Sequence, residues 1–321
     1  MMKKILITRQ VFPEVLECLS PHAVIDHNSG DDILAPEILR ARAQGCTGIM
    51  TTIADKIDAA FFAACPSVKV VSNIAVGFNN IDIAAATAHG VKVTNTPGVL
   101  DDTTADLTFA LLMATARRIT ETEARLRRGE WKKGFALQQW LGTDVHHATL
   151  GIIGMGRIGQ TIAKRALGFE MQVLYHNRTR LDAATEAKLN VSYVDREALL
   201  TQSDFVVVMV PYSPATHHLI GAPEIALMKP SAMLIHSARG GVVDDAALIA
   251  ALQEGRIAGA GLDVFENEPA LNPAYLALDN VVLTPHIGSA TQATRLKMAM
   301  LAAENMRAGL HGEMPPNCIN C

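Results

Sequence analysis

The stretch that decides the fold is Leu150-Gly151-Ile152-Ile153-Gly154-Met155-Gly156-Arg157-Ile158-Gly159. Its apolar start predicts a strand, and the G-x-G-x-x-G spacing predicts a tight turn into a helix. In such a unit Gly154 allows the turn, Gly156 lets the backbone approach a pyrophosphate, and Gly159 permits close packing of helix on strand. Free N–H groups at the start of the helix then face the phosphates. The stretch therefore predicts a dinucleotide-binding unit.

Short β-rich runs alternate with amphipathic helical patterns along the chain, which indicates an α/β fold with parallel sheets. The strands predicted before residue 100 are Lys4–Thr8, Gly48–Thr51, Val68–Ser72 and Lys92–Thr94, with helices at Pro36–Gln44 and Ile83–His89. The later strands are predicted at Thr149–Ile153, Gln172–His176, Phe205–Val210, Met233–His236, Gly261–Phe265 and Val281–Thr284, with a helix at Ile158–Leu167.

A chain of 321 residues is expected to form about two domains. We predict a discontinuous substrate domain from residues 1–99 and 289–321, because a final helix over Ser289–Leu310 can pack back on the first domain. Residues 100–288 form the predicted dinucleotide domain. One long helix is predicted from Thr103 to Gly129, with Thr103 and Asp106 as a capping-box-like start and Gly129 as its terminating glycine. Because this helix is apolar around much of its circumference, we expect a second subunit to cover it.

The composition is that of a globular protein, with 49% apolar and 19% charged residues. The net charge of −4 favours neither nucleic acid nor an anionic membrane as a partner. No apolar run reaches the roughly 20 residues that cross a bilayer, and the run Ile5-Leu6-Ile7 is too short for a secretory signal. Five scattered cysteines predict reduced thiols and a cytoplasmic protein.

The turn after the predicted strand Gln172–His176 bears on the choice of cofactor. An NAD-specific site usually ends this strand with an acidic residue that binds the ribose hydroxyls. Here the turn is Asn177-Arg178-Thr179-Arg180, which offers two guanidinium groups and a hydroxyl for a 2′-phosphate. The alternative is an ordinary solvated turn. We predict NADPH as the cofactor, with NADH accepted at lower efficiency.

Three polar residues follow apolar runs further along the chain. Arg239 comes after Met233–His236, and a planar guanidinium can hold a carboxylate and a carbonyl oxygen together. His286 comes after Val281–Thr284 and can transfer a proton near neutral pH. Glu268 can orient and stabilise that imidazole. Taken singly, Arg239 also fits a surface turn and His286 a structural role. The chain has 11 histidines, but the pairs His146-His147 and His217-His218 lack partners at ligand spacing, so no metal site is predicted.

Taken together, these motifs resemble the D-isomer-specific 2-hydroxyacid dehydrogenase family. The resemblance covers essentially the whole chain and includes Ala75–Asp82, the helix after Thr104, Gly154–Gly159, Ser237–Gly240, Gly261–Glu266, Glu268-Pro269 and Pro285–Gly288. Within the family, Gly142–His147 and the Tyr175-x-x-Arg178 turn are most similar to glyoxylate/hydroxypyruvate reductases that also reduce 2-ketogluconate. The resemblance implies two Rossmann-like or flavodoxin-like domains with parallel sheets and an active site in the cleft between them.

The resemblance also implies roles for individual residues. Arg239 binds substrate, His286 is the acid/base, Glu268 is its partner, and the amides of Val76 and Gly77 meet the substrate carboxylate. Trp140 resembles a substrate-pocket residue delivered by a neighbouring subunit, and a hydrophobic surface anchor is the alternative. The residues expected at the cofactor are Thr104, Gly154, Met155, Gly156, Arg157, Ile158, Gly159, Asn177, Arg178, Thr179, Arg180, Val210, Pro211, Ser237, Ala238, Arg239, Asp263 (at the nicotinamide carboxamide), His286 and Gly288. Gly241 stands where many members carry proline, which is expected to loosen the loop after Arg239.

The function predicted from these residues is reduction of small 2-keto acids (glyoxylate, hydroxypyruvate or 2-ketogluconate) to D-2-hydroxy acids by a homodimer that prefers NADPH. Two alternatives stay open. One is NAD-linked oxidation, as in 3-phosphoglycerate dehydrogenase, against which the missing ribose-binding acid argues. The other is a nucleotide-sensing, corepressor-like protein without enzymatic activity.

Overall fold

The computed structural model describes residues 2–30 and 32–321. These residues divide into two compact units. The first unit comprises the chain up to Leu100 together with Ser289–Cys321, and the second comprises Asp101–Gly288. No helix within the described ranges is long and apolar enough to cross a membrane.

Each unit is built on one parallel sheet. The strands of the first unit are β1 (Lys3–Ile7), β2 (Ala23–His27), β3 (Gly48–Thr51), β4 (Val70–Asn73) and β5 (Lys92–Thr94). Those of the second are β6 (Thr149–Ile153), β7 (Gln172–His176), β8 (Val191–Tyr193), β9 (Phe205–Val208), β10 (Met233–His236), β11 (Gly259–Leu262) and β12 (Val281–Leu283). The sheet orders are β2-β1-β3-β4-β5 and β12-β11-β10-β9-β6-β7-β8.

Helices connect the strands. They are α1 (Pro13–Leu19), α2 (Pro36–Ala43), α3 (Ala59–Ala64), α4 (Ile83–Ala88), α5 (Asp101–Ala116), α6 (Ile119–Arg127), α7 (Arg157–Leu167), α8 (Ala183–Leu189), α9 (Arg196–Gln202), α10 (Ala222–Leu227), α11 (Asp245–Gln253) and α12 (Gln292–His311), with a 3₁₀ turn at Pro273–Ala277. α12 returns to the first unit, where it packs on α1, β3 and β4.

The strand orders determine where a ligand can bind. The first sheet has the flavodoxin-like order, and the second has the doubly wound order in which the direction of winding reverses between β6 and β9. Ligands of open α/β sheets bind outside the carboxyl ends of the strands at such a reversal. The loops that follow β6, β7, β9, β10, β11 and β12 all leave the sheet at this edge.

The predicted α/β class with two parallel sheets is confirmed. Five of the predicted strands match their observed bounds at both ends: Gly48–Thr51, Lys92–Thr94, Thr149–Ile153, Gln172–His176 and Met233–His236. Two strands were not predicted, β2 and β8. Both lie at a sheet edge, where one neighbour is missing and the apolar pattern is weaker.

The long helix predicted over Thr103–Gly129 is wrong, because the structure has two helices, α5 and α6. Arg118 between them has a φ of 52°, in the left-handed region that side-chain-bearing residues rarely adopt. Two contacts stabilise the break. The Thr143 amide donates to the Ala116 carbonyl at 2.8 Å, and Arg118 pairs with Glu121 at 2.7 Å. No glycine or proline marks this break in the sequence.

The start of this helical region also differs from the predicted one. α5 begins at Asp101, with Asp102 also in its first turn, so Thr103 and Asp106 lie inside the helix and not at its start. Gly129 has a φ of 69°, which confirms it as the glycine after the second helix. α5 packs against α7, β10 and β11 of its own unit. Much of the apolar surface of α5 is therefore buried within the unit, and its coverage by a second subunit stays a prediction.

The prediction that all cysteines are reduced is wrong for two of them. Cys318 and Cys321 form a disulfide with their Cα atoms 5.8 Å apart, a separation typical of such bonds. The chain turns here because the Cys318 amide donates to the Pro315 carbonyl at 3.3 Å and the Ile319 amide to that of Val93 at 2.8 Å. The other cysteines, Cys18, Cys46 and Cys65, are free thiols.

Candidate active site

The glycine loop between β6 and α7 has the backbone of a dinucleotide site. Gly154 has a φ of +105°, and a Cβ there would lie 2.6 Å from the carbonyl carbon and oxygen of Met209. A Cβ on Gly159 would lie 2.3 Å from the Gly154 carbonyl oxygen. By contrast, a Cβ on Gly156 would meet nothing within 4 Å. Gly156 therefore borders open space at the N-terminus of α7, which no side chain caps and which suits a pyrophosphate.

The turn after β7 is tied to this loop. The side-chain oxygen of Asn177 accepts a hydrogen bond from the Met155 amide at 2.7 Å. The next two residues, Arg178 and Thr179, are exposed. Within the described part of the chain, Arg178 makes neither a hydrogen bond nor an ion pair. Its guanidinium is thus available at the position where the ribose of a dinucleotide is bound in this fold.

Arg180 has a different environment. Its Nε and Nη2 each donate to Glu186 at 2.8 Å, and its guanidinium lies 5.7 Å from the centre of the Tyr193 ring. The hydroxyl of Tyr175 donates to the same carboxylate at 2.6 Å. The bonds from Arg180 and then Tyr175 lower the pKa of Glu186 to about 2, so the carboxylate is ionised at neutral pH. Sequence reasoning missed Glu186, whose charge offsets that of Arg180.

The other residues expected at the cofactor lie on α5 or on loops after strands: Thr104 on α5, Val210 and Pro211 after β9, Ser237 and Ala238 after β10, and Gly288 after β12. A Cβ built on Gly288 would lie 3.4 Å from Thr104, and Val210 borders Gly154 in the same way at 2.9 Å. Nε of Arg157 pairs with Asp101 at 3.2 Å, and its backbone amide lies in the first turn of α7.

Arg239 follows β10 and is largely withdrawn from water. Its Nη1 donates to the Ala238 carbonyl at 2.6 Å. Its Nε is buried and has no hydrogen-bond partner among the described residues. Burial lowers the pKa of the guanidinium, and the nearby carboxylate of Glu268 partly offsets this. A buried donor without a partner is costly, so the group is poised to bind an anion.

The loop after Arg239 depends on two glycines. A Cβ on Gly240 would lie 1.7 Å from the Phe265 carbonyl oxygen, so only glycine fits. Gly241 has a φ of +81°, which proline cannot adopt, and its carbonyl accepts from the His218 amide at 2.8 Å. This hydrogen bond helps to fix the backbone of the loop. A proline at position 241 could not adopt the same conformation.

Glu268 and His286 form a dyad. Nδ1 of His286 lies 2.7 Å from Oε2 of Glu268, and the Phe265 amide donates to Oε1 at 2.8 Å. Burial favours the neutral acid, but the hydrogen bond and charge of His286 outweigh it and lower the pKa of Glu268. Since Nδ1 is occupied, Nε2 is the ring nitrogen that remains for a reacting group.

Asp263 holds the turn on which His286 lies. Its buried carboxylate accepts hydrogen bonds from the Thr284 hydroxyl at 2.6 Å and from the amides of Ile287 and Gly288 at 2.8 Å each. Burial raises its pKa although these bonds oppose the shift. His286 has a φ of 52°, and the Asp263 contacts stabilise this uncommon backbone conformation.

His236, the last residue of β10, was not expected at the site. It is 2% exposed, and its Nε2 lies 2.8 Å from the Arg239 carbonyl oxygen. Burial lowers its pKa to about 4, so the ring is neutral at physiological pH and donates from Nε2 to that oxygen. It thereby supports the backbone of Arg239. The only sequence signal for this role of His236 is its position at the end of an apolar strand.

The remaining predicted residues belong to other segments of the chain. Val76 and Gly77 are half-buried in the loop after β4, in the first unit. Trp140, with a φ of 55°, lies in the segment between α6 and β6.

His218 pairs with Glu266 at 2.5 Å. No group of three or more metal-ligating side chains occurs among residues 2–30 and 32–321.

Comparison with known proteins agrees with this geometry. The model of the D-isomer-specific 2-hydroxyacid dehydrogenase NAD-binding domain matches residues 109–288. The chain belongs to this family. It is 49% identical to the glyoxylate reductase of Pyrococcus horikoshii, over 100% of this chain and 96% of that one. It is 47% identical to that of Thermococcus litoralis, over 100% and 97%.

The similarity to solved structures of this family extends over nearly the whole chain. The NADPH-dependent glyoxylate/hydroxypyruvate reductase of Sinorhizobium meliloti, solved with NADP and malonate, superposes with a TM-score of 0.87 at 33% identity, over 99% of this chain and 97% of that one. The family assignment makes this chain an oxidoreductase that uses a nicotinamide cofactor. The open space beside Gly156 and the uncapped start of α7 fit such a group.

The buried neutral His236 should make stability depend on pH. Its pKa is 6.5 when unfolded and about 4 when folded, so below pH 6.5 the unfolded state binds more protons. The free energy of unfolding should therefore fall by roughly 2–3 kcal/mol for this group alone between pH 7.5 and 4.5. Urea unfolding of His236→Gln at both pH values should show a correspondingly smaller loss than wild type. The exposed His146→Gln is the control, and equal losses in His236→Gln and wild type would contradict the assignment.

Proposed function

We propose that this protein is a cytoplasmic, NADPH-preferring reductase of small 2-keto acids (glyoxylate, hydroxypyruvate and 2-ketogluconate) that yields D-2-hydroxy acids. The observation that carries the proposal is the dyad of His286 and Glu268, 2.7 Å apart, in one unit with the buried, partnerless Nε of Arg239. One group can deliver a proton and the other can bind a carboxylate. The position of the site in a cleft between the units stays a prediction.

Substrate binding is proposed to use Arg239 and the amides of Val76 and Gly77. The guanidinium forms charge-assisted bonds to the carboxylate and the keto oxygen and polarises the carbonyl. These bonds are strong because the arginine is shielded from water. Trp140 of a neighbouring subunit is proposed to close the pocket of this chain.

Proton transfer is proposed to run through Nε2 of His286. Glu268 accepts the hydrogen bond of Nδ1 and stabilises the imidazolium, which gives its Nε2 proton to the keto oxygen as the alkoxide develops. After the transfer the imidazole is neutral, and uptake of a proton from solvent restores it. The lowered pKa of Glu268 keeps this partner charged at neutral pH, so that it can stabilise the imidazolium.

The cofactor is proposed to lie along the glycine loop, with its phosphates at the amides of Gly156, Arg157 and Ile158. When bound, the dihydronicotinamide supplies the hydride that reduces the 2-keto carbon. Asp263 is proposed to meet the carboxamide. Because two of its carboxylate contacts are backbone amides of the catalytic turn, it would align ring and imidazole together.

The dyad is tested directly by His286→Ala. With glyoxylate and NADPH, kcat should fall about 10²–10⁴-fold, because the proton donor is lost, while the thermal midpoint stays near that of wild type. Absorbance at the nicotinamide band follows the turnover. The exposed His89→Ala is the control and should keep full activity. Undiminished turnover by His286→Ala would remove the dyad from the mechanism, and a wild type that reduces none of the three acids would defeat the proposed function.

The preference for NADPH is proposed to depend on Arg178. The turn after β7 contains no acidic residue, and Arg178 has no internal partner that competes for its charge. Arg180 is also proposed to face the 2′-phosphate, but its guanidinium is already bonded to Glu186. Arg178 should therefore contribute more to the preference than Arg180.

Single substitutions distinguish the contributions of Arg178 and Arg180 to the cofactor preference. Arg178→Ala should lower the ratio of kcat/KM for NADPH over NADH about 10–100-fold, as expected for loss of a hydrogen bond to a charged group. Arg180→Ala should change it less. The measurement is kcat/KM with both cofactors at saturating glyoxylate. An unchanged ratio in Arg178→Ala, or a larger effect in Arg180→Ala, would refute this assignment.

A homodimer is proposed on the basis of exposed apolar side chains in the second unit. In and after α6, the exposed residues are Ile119, Leu126, Trp131, Phe135, Leu137 and Leu141, with Phe135 89% and Leu137 81% exposed. Clustered apolar exposure of this kind is typical of an interface. The occupant proposed is a second copy of this chain, which would also bring Trp140 to its neighbour.

Light scattering after gel filtration tests the assembly. At micromolar concentration the mass should be about twice the 34.4 kDa of one chain. A Phe135→Asp/Leu137→Asp double variant should lower it toward one chain, since charges in an apolar interface are costly. An exposed apolar change elsewhere, Met314→Asp, is the control. A monomeric wild type would exclude the dimer.

A further inference from the structure

The loop after β4 contains three consecutive peptide groups whose carbonyls each accept a hydrogen bond. The Ala75 carbonyl accepts from the Thr96 amide at 2.9 Å. The Val76 carbonyl accepts from Nδ2 of Asn95 at 2.8 Å, and the Gly77 carbonyl accepts from Nδ2 of Asn73 at 2.9 Å. Three donors of the first unit thus fix the orientation of this loop.

The carbonyl bonds also determine where the N–H groups point. In a planar trans peptide the carbonyl oxygen and the following N–H lie on opposite sides. The bond to the Ala75 carbonyl therefore directs the Val76 N–H away from β5, and the bond from Asn95 does the same for the Gly77 N–H. Neither N–H donates to any other described residue. The loop presents adjacent free donors, an arrangement that suits an anion.

Asn95 is itself rigidly held. It follows β5, and its own amide donates to the Asn317 carbonyl at 3.3 Å. Its carbonyl accepts from Nδ2 of Asn305 at 3.2 Å. Asn305, on α12, is fully buried and its side-chain oxygen accepts from the Asn317 amide at 3.1 Å. The backbone of Asn95, from which its side chain reaches the Val76 carbonyl, is thus fixed by α12 and the segment that follows it.

We infer that Asn95, with Asn73 in support, is a positioning residue for the carboxylate of the substrate, because its side chain aims the Gly77 N–H through the Val76 carbonyl. The inference rests on the proposed reduction of 2-keto acids. It adds residues that do not touch the substrate and that set the selectivity for a carboxylate. Asn73 acts on the next peptide, since its side chain is buried and donates to the Gly77 carbonyl.

The isosteric change Asn95→Asp tests the inference. It replaces the donor by an oxygen that repels the Val76 carbonyl, so the peptide should turn away. The KM for glyoxylate should rise about 10-fold or more, while the KM for NADPH and the thermal midpoint change little. The binding constant of oxalate, a dicarboxylate that cannot be reduced, should weaken equally when measured by calorimetry with NADP⁺ present.

Two further variants keep the test independent of folding. Asn95→Ala removes the donor without adding charge and should raise the KM for glyoxylate by a smaller factor. Asn280→Asp is the matched control, because Nδ2 of Asn280 also donates to a backbone carbonyl, that of Leu252 at 3.2 Å, in the other unit. Its KM for glyoxylate should equal that of wild type.

Values of KM for glyoxylate and of oxalate affinity within twofold of wild type, in whichever Asn95 variants fold, would overturn the inference. So would a parallel loss of NADPH and oxalate binding, which indicates a general structural role. These outcomes are distinct from a wild type that reduces no 2-keto acid, which would defeat the proposed function itself.

Discussion

The geometry of the His286–Glu268 dyad depends on the hydrogen bonds that the buried carboxylate of Asp263 accepts. This carboxylate binds the Thr284 hydroxyl and the amides of Ile287 and Gly288, and so closes the turn at the end of β12. His286 lies within this turn in a left-handed backbone conformation, which costs free energy unless its surroundings enforce it. The orientation of the imidazole toward its acid follows from this turn.

Burial acts on the pKa values of the ionisable groups around this turn in opposite directions. His236 is kept neutral, with a pKa of about 4, so that it can donate to the backbone of Arg239. Arg239 itself keeps a buried donor without a partner, while Glu268 stays ionised because its dyad partner outweighs the cost of burial. A neutral imidazole, a guanidinium with an unpaired buried Nε and an ionised carboxylate thus lie together in the second unit.

The sequence predicted the parts of the fold and site that arise from local patterns. The glycine spacing located the turn between β6 and α7, and polar residues after apolar strands located Arg239 and the dyad, because parallel strands end at one edge. It could not separate Arg178 from Arg180, since that distinction depends on Glu186 and the buried Tyr175. The break at Arg118 was equally hidden, because the distant Thr143 helps to stabilise it and no glycine or proline marks it.

The contact of Gly240 with Phe265 has a mechanical consequence. There is no room for even one carbon atom between the glycine and the carbonyl oxygen of Phe265, whose own amide binds Glu268. The segment that contains Arg239 is therefore in direct contact with the segment that contains Glu268. The two segments must move together. The loop after β4 can be altered more freely than this junction of two main chains, because two of its three carbonyl anchors are replaceable side chains.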